Sequence, residues 1–270
     1  VSVEFDAALP NDPKRLLNVV TDALMIFAEP LEEQMPDPDD PLVDYFGPGV
    51  VSLDDTGKGV YGGCHAVTTK GTTLFVAGGA YLRGGLKVGS ATKMEVDDVA
   101  IRGRGVVTIE DGKNGMVGCT DSGSLIFVWK GDGVTIEGIT AVSNNAMVRS
   151  GVVAGNTYFP PQVVGFPPQL KVPNLEPSSP DRGLHITNLK VMNWQYGTPG
   201  VFVGRYGQVV DSFIRANDDL APDYQSHQLW ERNTLWQLDN GWPFMAQWNT
   251  YDPLEKGDGV TDVTVRSSTV

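Results

Sequence analysis

The sequence predicts an all-β chain wound as a right-handed parallel β-helix, a solenoid, and three observations carry that expectation. Short β-branched segments recur from about Val50 onward, each closed by Gly, Asn or Asp: Thr73–Ala77, Val99–Arg102, Val134–Glu137, Leu184–Thr187, Val209–Ile214, Thr234–Trp236 and Val260–Val265. The phrases Val99-Ala-Ile-Arg-Gly-Arg-Gly105 and Val134-Thr-Ile-Glu-Gly-Ile-Thr140 are near copies, 35 residues apart. Further on, Asn217-Asp218 and Asp239-Asn240 recur at the spacing of one solenoid turn, roughly 20 to 25 residues. An antiparallel sandwich also uses many short strands. Here, however, Asn-Gly and Asp-Gly hairpin turns directly between strand pairs are few, and the repeated unit is a whole strand-turn-strand phrase.

Taken in order, Asn11-Asp12-Pro13 offers a cap and a first-turn proline for an entry helix, with Leu16, Leu17, Val20 and Leu24 at helical spacing. Pro30, Pro36, Pro38, Pro41 and Pro48, set among acids, then predict a stiff extended connector. Residues 1–48 are thus read as entry helix and linker, and 49–270 as the β-helix. Tyr158–Asp181 carries seven prolines and no periodicity, which predicts a long loop thrown out between turns and walling a groove. Gly259–Val270 reads as a strand with nothing to cap it, so the chain is expected to continue beyond both ends. A solenoid cut in mid-turn exposes edge strands, which favours self-association or a larger assembly.

With 33 acidic and 20 basic residues the net charge is −13. A field of that sign repels polyanions, which argues against nucleic acid and anionic membrane surfaces as partners. The longest uncharged stretch, 150–170, is broken by Pro160, Pro161, Pro167 and Pro168, so no membrane insertion is expected. Cys64 and Cys119 fit either one disulfide or two separate buried thiols. His65, His185 and His227 stand apart from Cys and acids at ligand spacing, and Asp111-Gly112 and Asp132-Gly133 are isolated turns, so neither metal nor cofactor is expected.

Asp218 and Asp219 follow a strand directly. Successive side chains alternate across a strand, so both carboxylates face one groove only where the backbone turns, and there their mutual repulsion favours one retained proton. That is what a general acid needs. An Asx turn would use Asn217, Asp218 and Asp219 merely to satisfy backbone donors. Five of the six tryptophans (Trp194, Trp230, Trp236, Trp242 and Trp248) fall within 55 residues around the pair, with Tyr196 and Tyr224. Aromatic faces stack on the apolar faces of sugar rings, so Trp194, Tyr196, Tyr224, Trp236, Trp242 and Trp248, with Asn217 and Asn240, are candidates for binding a polysaccharide. Asp239, one turn on, stacks near the pair and is the third catalytic candidate; Asp223 and Glu231 are weaker ones.

Phe27-Ala-Glu-Pro-Leu31, Tyr45-Phe-Gly-Pro-Gly49, Ile101-Arg-Gly-Arg-Gly-Val-Val107, Val210–Asp219 and Thr234-Leu-Trp236, in that order, resemble glycoside hydrolase family 49, the dextranases and isopullulanases. The resemblance implies a β-sandwich followed by a right-handed parallel β-helix, residues 1–25 being the tail of the sandwich or its linker. It also implies a secreted, extracellular protein that hydrolyses α-glucan with inversion, using three aspartates and no metal. Asp218 takes the general acid's position, with Asp219 or Asp239 as base. The third aspartate of the family pattern, in a Thr-Asp-Gly turn, falls on Pro199 of Thr198-Pro199-Gly200, and two family lysines fall on Pro222 and Gln237. A groove that binds glycan without cutting it, or a structural extracellular β-helix, is the second expectation.

Overall fold

The computed structural model describes residues 2–4, 23–32, 34–53, 63–90, 93–110, 124–144, 152–155, 176–193, 196–222, 225–238, 240–246, 255 and 259–270. The chain forms two units, Val1–Met35 and Pro36–Val270. In the first, Ser2–Glu4 pairs antiparallel with Ala23–Met25, Val3 opposite Leu24. Leu24, expected at the end of the entry helix, therefore lies in a strand; the rest of that helix falls outside the described residues.

The second unit is all-β, built from three long parallel sheets. Sheet I contains Val43–Phe46, Thr73–Val76, Ala100–Gly103, Thr135–Glu137, His185–Thr187, Gln208–Val210, Leu229–Glu231 and Thr264–Arg266. Sheet II contains Gly49–Ser52, Ala80–Arg83, Val106–Glu110, Thr140–Asn144, Lys190–Asn193, Phe213–Ala216 and Thr234–Gln237, and sheet III Cys64–Val67, Gly85–Val88, Ile126–Val128, Val153–Gly155 and Val201–Val203. Ala221–Pro222 and Phe244–Met245 form a further short parallel pair. Each strand bonds the one that precedes it in its own sheet, and the chain passes from I to II to III before returning to I, the short pair Ala221–Pro222 and Phe244–Met245 standing in place of sheet III in the last two circuits. Among the described residues the only helix is the single 3₁₀ turn Pro180–Arg182. The sheets take in Val43–Phe46, which sequence assigned to the connector. Pro41 lies in the turn Asp37–Leu42, and Thr73 N–H already bonds Leu42 O (2.8 Å), so pairing starts directly after that turn and ahead of Pro48.

In-register stacking follows from the sequence pattern. Alternate residues of each strand face inward. The columns Leu74, Ile101, Ile136, Ile186, Val209, Trp230 in sheet I and Leu82, Val107, Ala141, Val191, Ile214, Leu235 in sheet II join the sheet III residues Leu86, Val88, Ile126, Val128, Val153 and Val201 in one core. Each large side chain of that core contributes about 1.5–3 kcal/mol by leaving water. The near-copy phrases pair at their repeat offset, Ala100 with Thr135 and Ile101 with Ile136. Two later circuits are shorter, 23 residues from His185 to Gln208 and 21 from Gln208 to Leu229, before the last, Leu229 to Thr264, returns to 35.

Corners are set by left-handed residues. One lies two residues before most sheet I strands (Gly71, Asp98, Gly133, Tyr206, His227, Asp262) and another just after (Gly138, Asn188, Asp211, Arg232, Ser267). Asp211, φ 52°, breaks the segment Val209–Ile214, read from sequence as one strand, into the ends of Gln208–Val210 and Phe213–Ala216. The corner is hydrogen-bonded from circuit to circuit by side chains inside it. Leu189 N–H bonds Ser212 Oγ (3.1 Å), Ser212 N–H bonds Asn233 Oδ1 (2.9 Å) and Asn233 N–H bonds Ser268 Oγ (3.1 Å). These buried polar groups are thereby satisfied. Cys64, at the start of a sheet III strand, is disulfide-bonded; the chain's other cysteine is Cys119.

Candidate functional site

The acid pair sits at the corner where the chain leaves sheet II. Ile214 and Ala216 of Phe213–Ala216 point into the core, Arg215 lies on the other face, and Asn217 follows directly. The next residues are clamped from both neighbouring circuits. From one side, Gly197 N–H bonds Asn217 O (3.0 Å) and Gly200 N–H bonds Asp219 O (2.8 Å). From the other, Asn240 N–H bonds Asn217 Oδ1 (3.1 Å), Gln237 Nε2 donates to Asp218 O (3.1 Å) and to Asn240 O, and Leu220 N–H bonds Trp242 O (3.0 Å). Gly241 makes this approach possible. Its φ is 81°, and a Cβ there would stand 2.4 Å from both Asp218 C and Asp219 N.

Both carboxyls are half-buried. Asp218 Oδ1 accepts Asp219 N–H (3.0 Å), and Asp219 Oδ1 accepts Trp242 N–H (3.0 Å). Loss of hydration pushes Asp218 up, the Asp219 amide partly offsetting it. Burial likewise pushes Asp219 up to about 6, against the Trp242 amide and with the help of the charge on Asp218. The pair therefore holds a proton at pH values where an ordinary aspartate is fully ionised.

Two exposed aromatics stand next to this corner in sequence and hydrogen bonding. Tyr196 (56% exposed) adjoins Gly197, which bonds Asn217, and Trp242 (65% exposed) carries the amide that bonds Asp219. Trp236 is half-buried, edge-on to Phe213 with centroids 6.4 Å apart, its ring 5.2 Å from the Arg215 guanidinium. Arg215 is thus buried against Trp236, which sequence reasoning missed because an arginine on the outer face of a strand reads as a solvated charge.

Several expected site residues change role. Asn217 is fully buried and its side-chain oxygen is spent on Asn240 N–H, so it builds the scaffold and cannot reach a sugar. Asn240 is half-buried, and both its backbone groups serve the clamp. Trp230, one of the tryptophans grouped with the pair, is fully buried in the core, edge-on to Phe244. Glu231 lies on sheet I, bound to Arg266 (2.7 Å) and Arg232 (2.5 Å), and those partners hold it below the usual carboxylate range. Asp239, Asp223, Trp194, Tyr224 and Trp248 lie outside the described residues. Pro199, where the family pattern has an acid, is buried and its carbonyl accepts Val152 N–H (3.1 Å). Gln237 and Gly241 were not anticipated as clamp residues; the close approach to the pair is a contact between circuits.

The histidines are also less isolated than their spacing implied. His65 Nε2 lies 2.8 Å from Asp44 Oδ2, and His227 lies between Asp262 and Glu255. His185 is pushed down by burial.

No known family model matches the chain, and no curated protein matches it.

Proposed function

We propose that this chain is a glycan-active protein of the glycoside hydrolase family 49 type, an inverting endo-hydrolase of α-glucan with the dextran or pullulan class as substrate. The observation that carries the reading is the half-buried Asp218–Asp219 corner, with both carboxyls shifted toward the protonated form and exposed Tyr196 and Trp242 beside them. Asp219, the stronger proton holder, is the acid that protonates the leaving oxygen; Asp218 is the carboxylate that draws a proton from water. This division reverses the order that the resemblance alone implies. A neutral polymer is the substrate because Tyr196 and Trp242 offer faces for sugar rings and the acids exclude anionic ones.

The fold proposed with it is a right-handed parallel β-helix. In-register stacking of every third strand and one core shared by three sheets support it, and parallel strand crossovers are right-handed in about 98% of cases. The antiparallel pair Ser2–Glu4 and Ala23–Met25 suits the tail of a sandwich. A bonded Cys64 suits a secreted, extracellular protein.

The test is release of new reducing ends from dextran, pullulan and a panel of algal and bacterial glycans by the wild type, Asp218→Asn and Asp219→Asn. Loss of a general acid or base costs about 10²–10⁴ in rate. The expected result is release by the wild type that falls by that factor in both variants, with the first-formed anomer inverted. Binding without release by any form overturns hydrolysis and favours the second reading, a groove that only holds glycan. The buried Pro199 in place of a third acid is the observation behind that reading.

A further inference from the structure

At the corner that leads into sheet I, the left-handed position is filled by Gly71, Asp98 and Gly133 in early circuits and by Tyr206, His227 and Asp262 in later ones, with φ of 58°, 60° and 55° for these three. Glycine and aspartate suit that conformation; tyrosine and histidine lose about 1–2 kcal/mol in it. The compensation lies in their side chains. The Tyr206 and His227 rings stack with centroids 4.7 Å apart at 6°. His227 Nδ1 lies 2.9 Å from Asp262 Oδ2, and His227 Nε2 lies 3.1 Å from Glu255 Oε1. Glu255 Oε1 also accepts Arg205 Nη1 (2.9 Å), and the Arg205 guanidinium lies 5.5 Å from the Tyr206 ring.

A carboxylate only accepts, so both contacts are hydrogen bonds only when both ring nitrogens donate, which requires the imidazolium. Neutral imidazole has one N–H and leaves the other lone pair facing a carboxylate oxygen. The proton does not move to Glu255 instead. Arg205, then His227, hold that carboxyl below its ordinary range. The remaining charges around the cluster are already engaged: Glu176 lies 4.0 Å from Arg205, and Arg266 pairs with Glu231.

We propose that His227 is a proton-operated clasp: as an imidazolium it ties Glu255 and Asp262 to the sheet I corner, and on losing its proton it releases one of them. What it secures is the entry to the strand Thr264–Arg266. There Thr261 N–H bonds Ser226 Oγ (3.0 Å), His227 N–H bonds Thr261 O (3.0 Å) and Thr264 N–H bonds Gln228 O (2.9 Å). A cleft of about 300 Å³ opens beside the cluster, lined by Gln208, Asp262, Thr264 and Arg266 among others. It is not itself a built ligand site, because Asp262 and Arg266 are committed to His227 and Glu231 and the Gln228 amide to Val203 O (2.8 Å). The clasp stands independently of whether the acid pair cuts glycans.

The experiment uses the whole chain. Long-range ¹H–¹⁵N correlation of the His227 ring and hydrogen exchange of the Thr261 and Thr264 amides, corrected for intrinsic rate, are followed from about pH 5 to about pH 8, the range of histidine ionisation. The expected result is two protonated ring nitrogens wherever the amides are well protected, and a protection that falls about tenfold in step with the loss of one ring proton, as loss of a charged hydrogen bond implies. His227→Asn, which retains a residue suited to the left-handed corner, is expected to show low protection at every pH. A ring that is singly protonated while both contacts hold, or protection that ignores the ring's protonation, overturns the proposal on the wild type alone, whatever the variant's folding. An equal fall in His227→Asn overturns it as well.

Discussion

Asp219 ionises against its surroundings, and that has a consequence for stability as well as for chemistry. Its carboxyl titrates near 6 in the folded chain against 3.8 for an ordinary aspartate, so between those values the folded state keeps a proton that the unfolded state has released. The stability associated with that proton is whole below about pH 3.8 and is lost as pH rises through 6. Replacing the side chain by its neutral isostere removes the cost of the charge and keeps an oxygen for Trp242 N–H. Asp219→Asn is therefore expected to raise stability at pH 7 by ~1 kcal/mol, a figure reduced for a half-exposed group, and to flatten the dependence of stability on pH between about 4 and 6. Urea unfolding of both forms at several pH values checks it. A variant that is more stable yet inactive marks a residue kept for chemistry; unchanged stability at pH 7 would mean the carboxyl is solvated like any other.

The clamp around the pair belongs to the scale of whole corners, and Gly241 is its tightest point. A methyl group at 241 meets the Asp218–Asp219 peptide at 2.4 Å on a backbone already at φ 81°, and there is no flexible side chain to move aside. Gly241→Ala is expected to cost about 1–3 kcal/mol from the left-handed strain alone and to pull the Trp242 amide off Asp219. The paired readout is denaturation together with the pH–activity profile, whose alkaline limb, set by ionisation of the acid Asp219, shifts to higher pH once Trp242 N–H no longer favours the ionised carboxyl. Contacts of this kind explain what sequence made legible and what it hid. The strand phrases around Ile101 and Ile136 were readable because their inward residues repeat at one offset, and the Asp218–Asp219 corner because two acids end a strand. The break at Asp211 was hidden, since a β-branched run on either side of it reads as one strand and only its φ tells otherwise. The burial of Asn217 and Trp230, and the company of His227, were hidden for a common reason. Their partners lie one circuit away, with Glu255 28 and Asp262 35 residues from His227, where no local spacing rule reaches.

Across the whole molecule, a net charge of −13 acts on every substrate before any corner touches it. The acid pair adds to that field locally, and on the strand that leads to it the Arg215 guanidinium lies against Trp236. A neutral glucan approaches this corner without electrostatic penalty; a sulfated or carboxylated one approaches against it. Raising salt from about 0.02 to about 0.5 M shortens the Debye length from about 20 to about 4 Å, which removes the long-range part of the field and leaves hydrogen bonds and ring stacking intact. Initial rates on dextran or pullulan are therefore expected to stay within about twofold over that range, whereas any residual rate on a sulfated dextran rises several-fold as repulsion is screened. The comparison is made at fixed pH, because salt also moves the ionisation of the pair and would otherwise change the amount of protonated Asp219. A rate on neutral glucan that collapses with salt would place a charged contact, not a stacked ring, at the centre of recognition. The neutral-substrate reading would then fall even if the two aspartates remained essential.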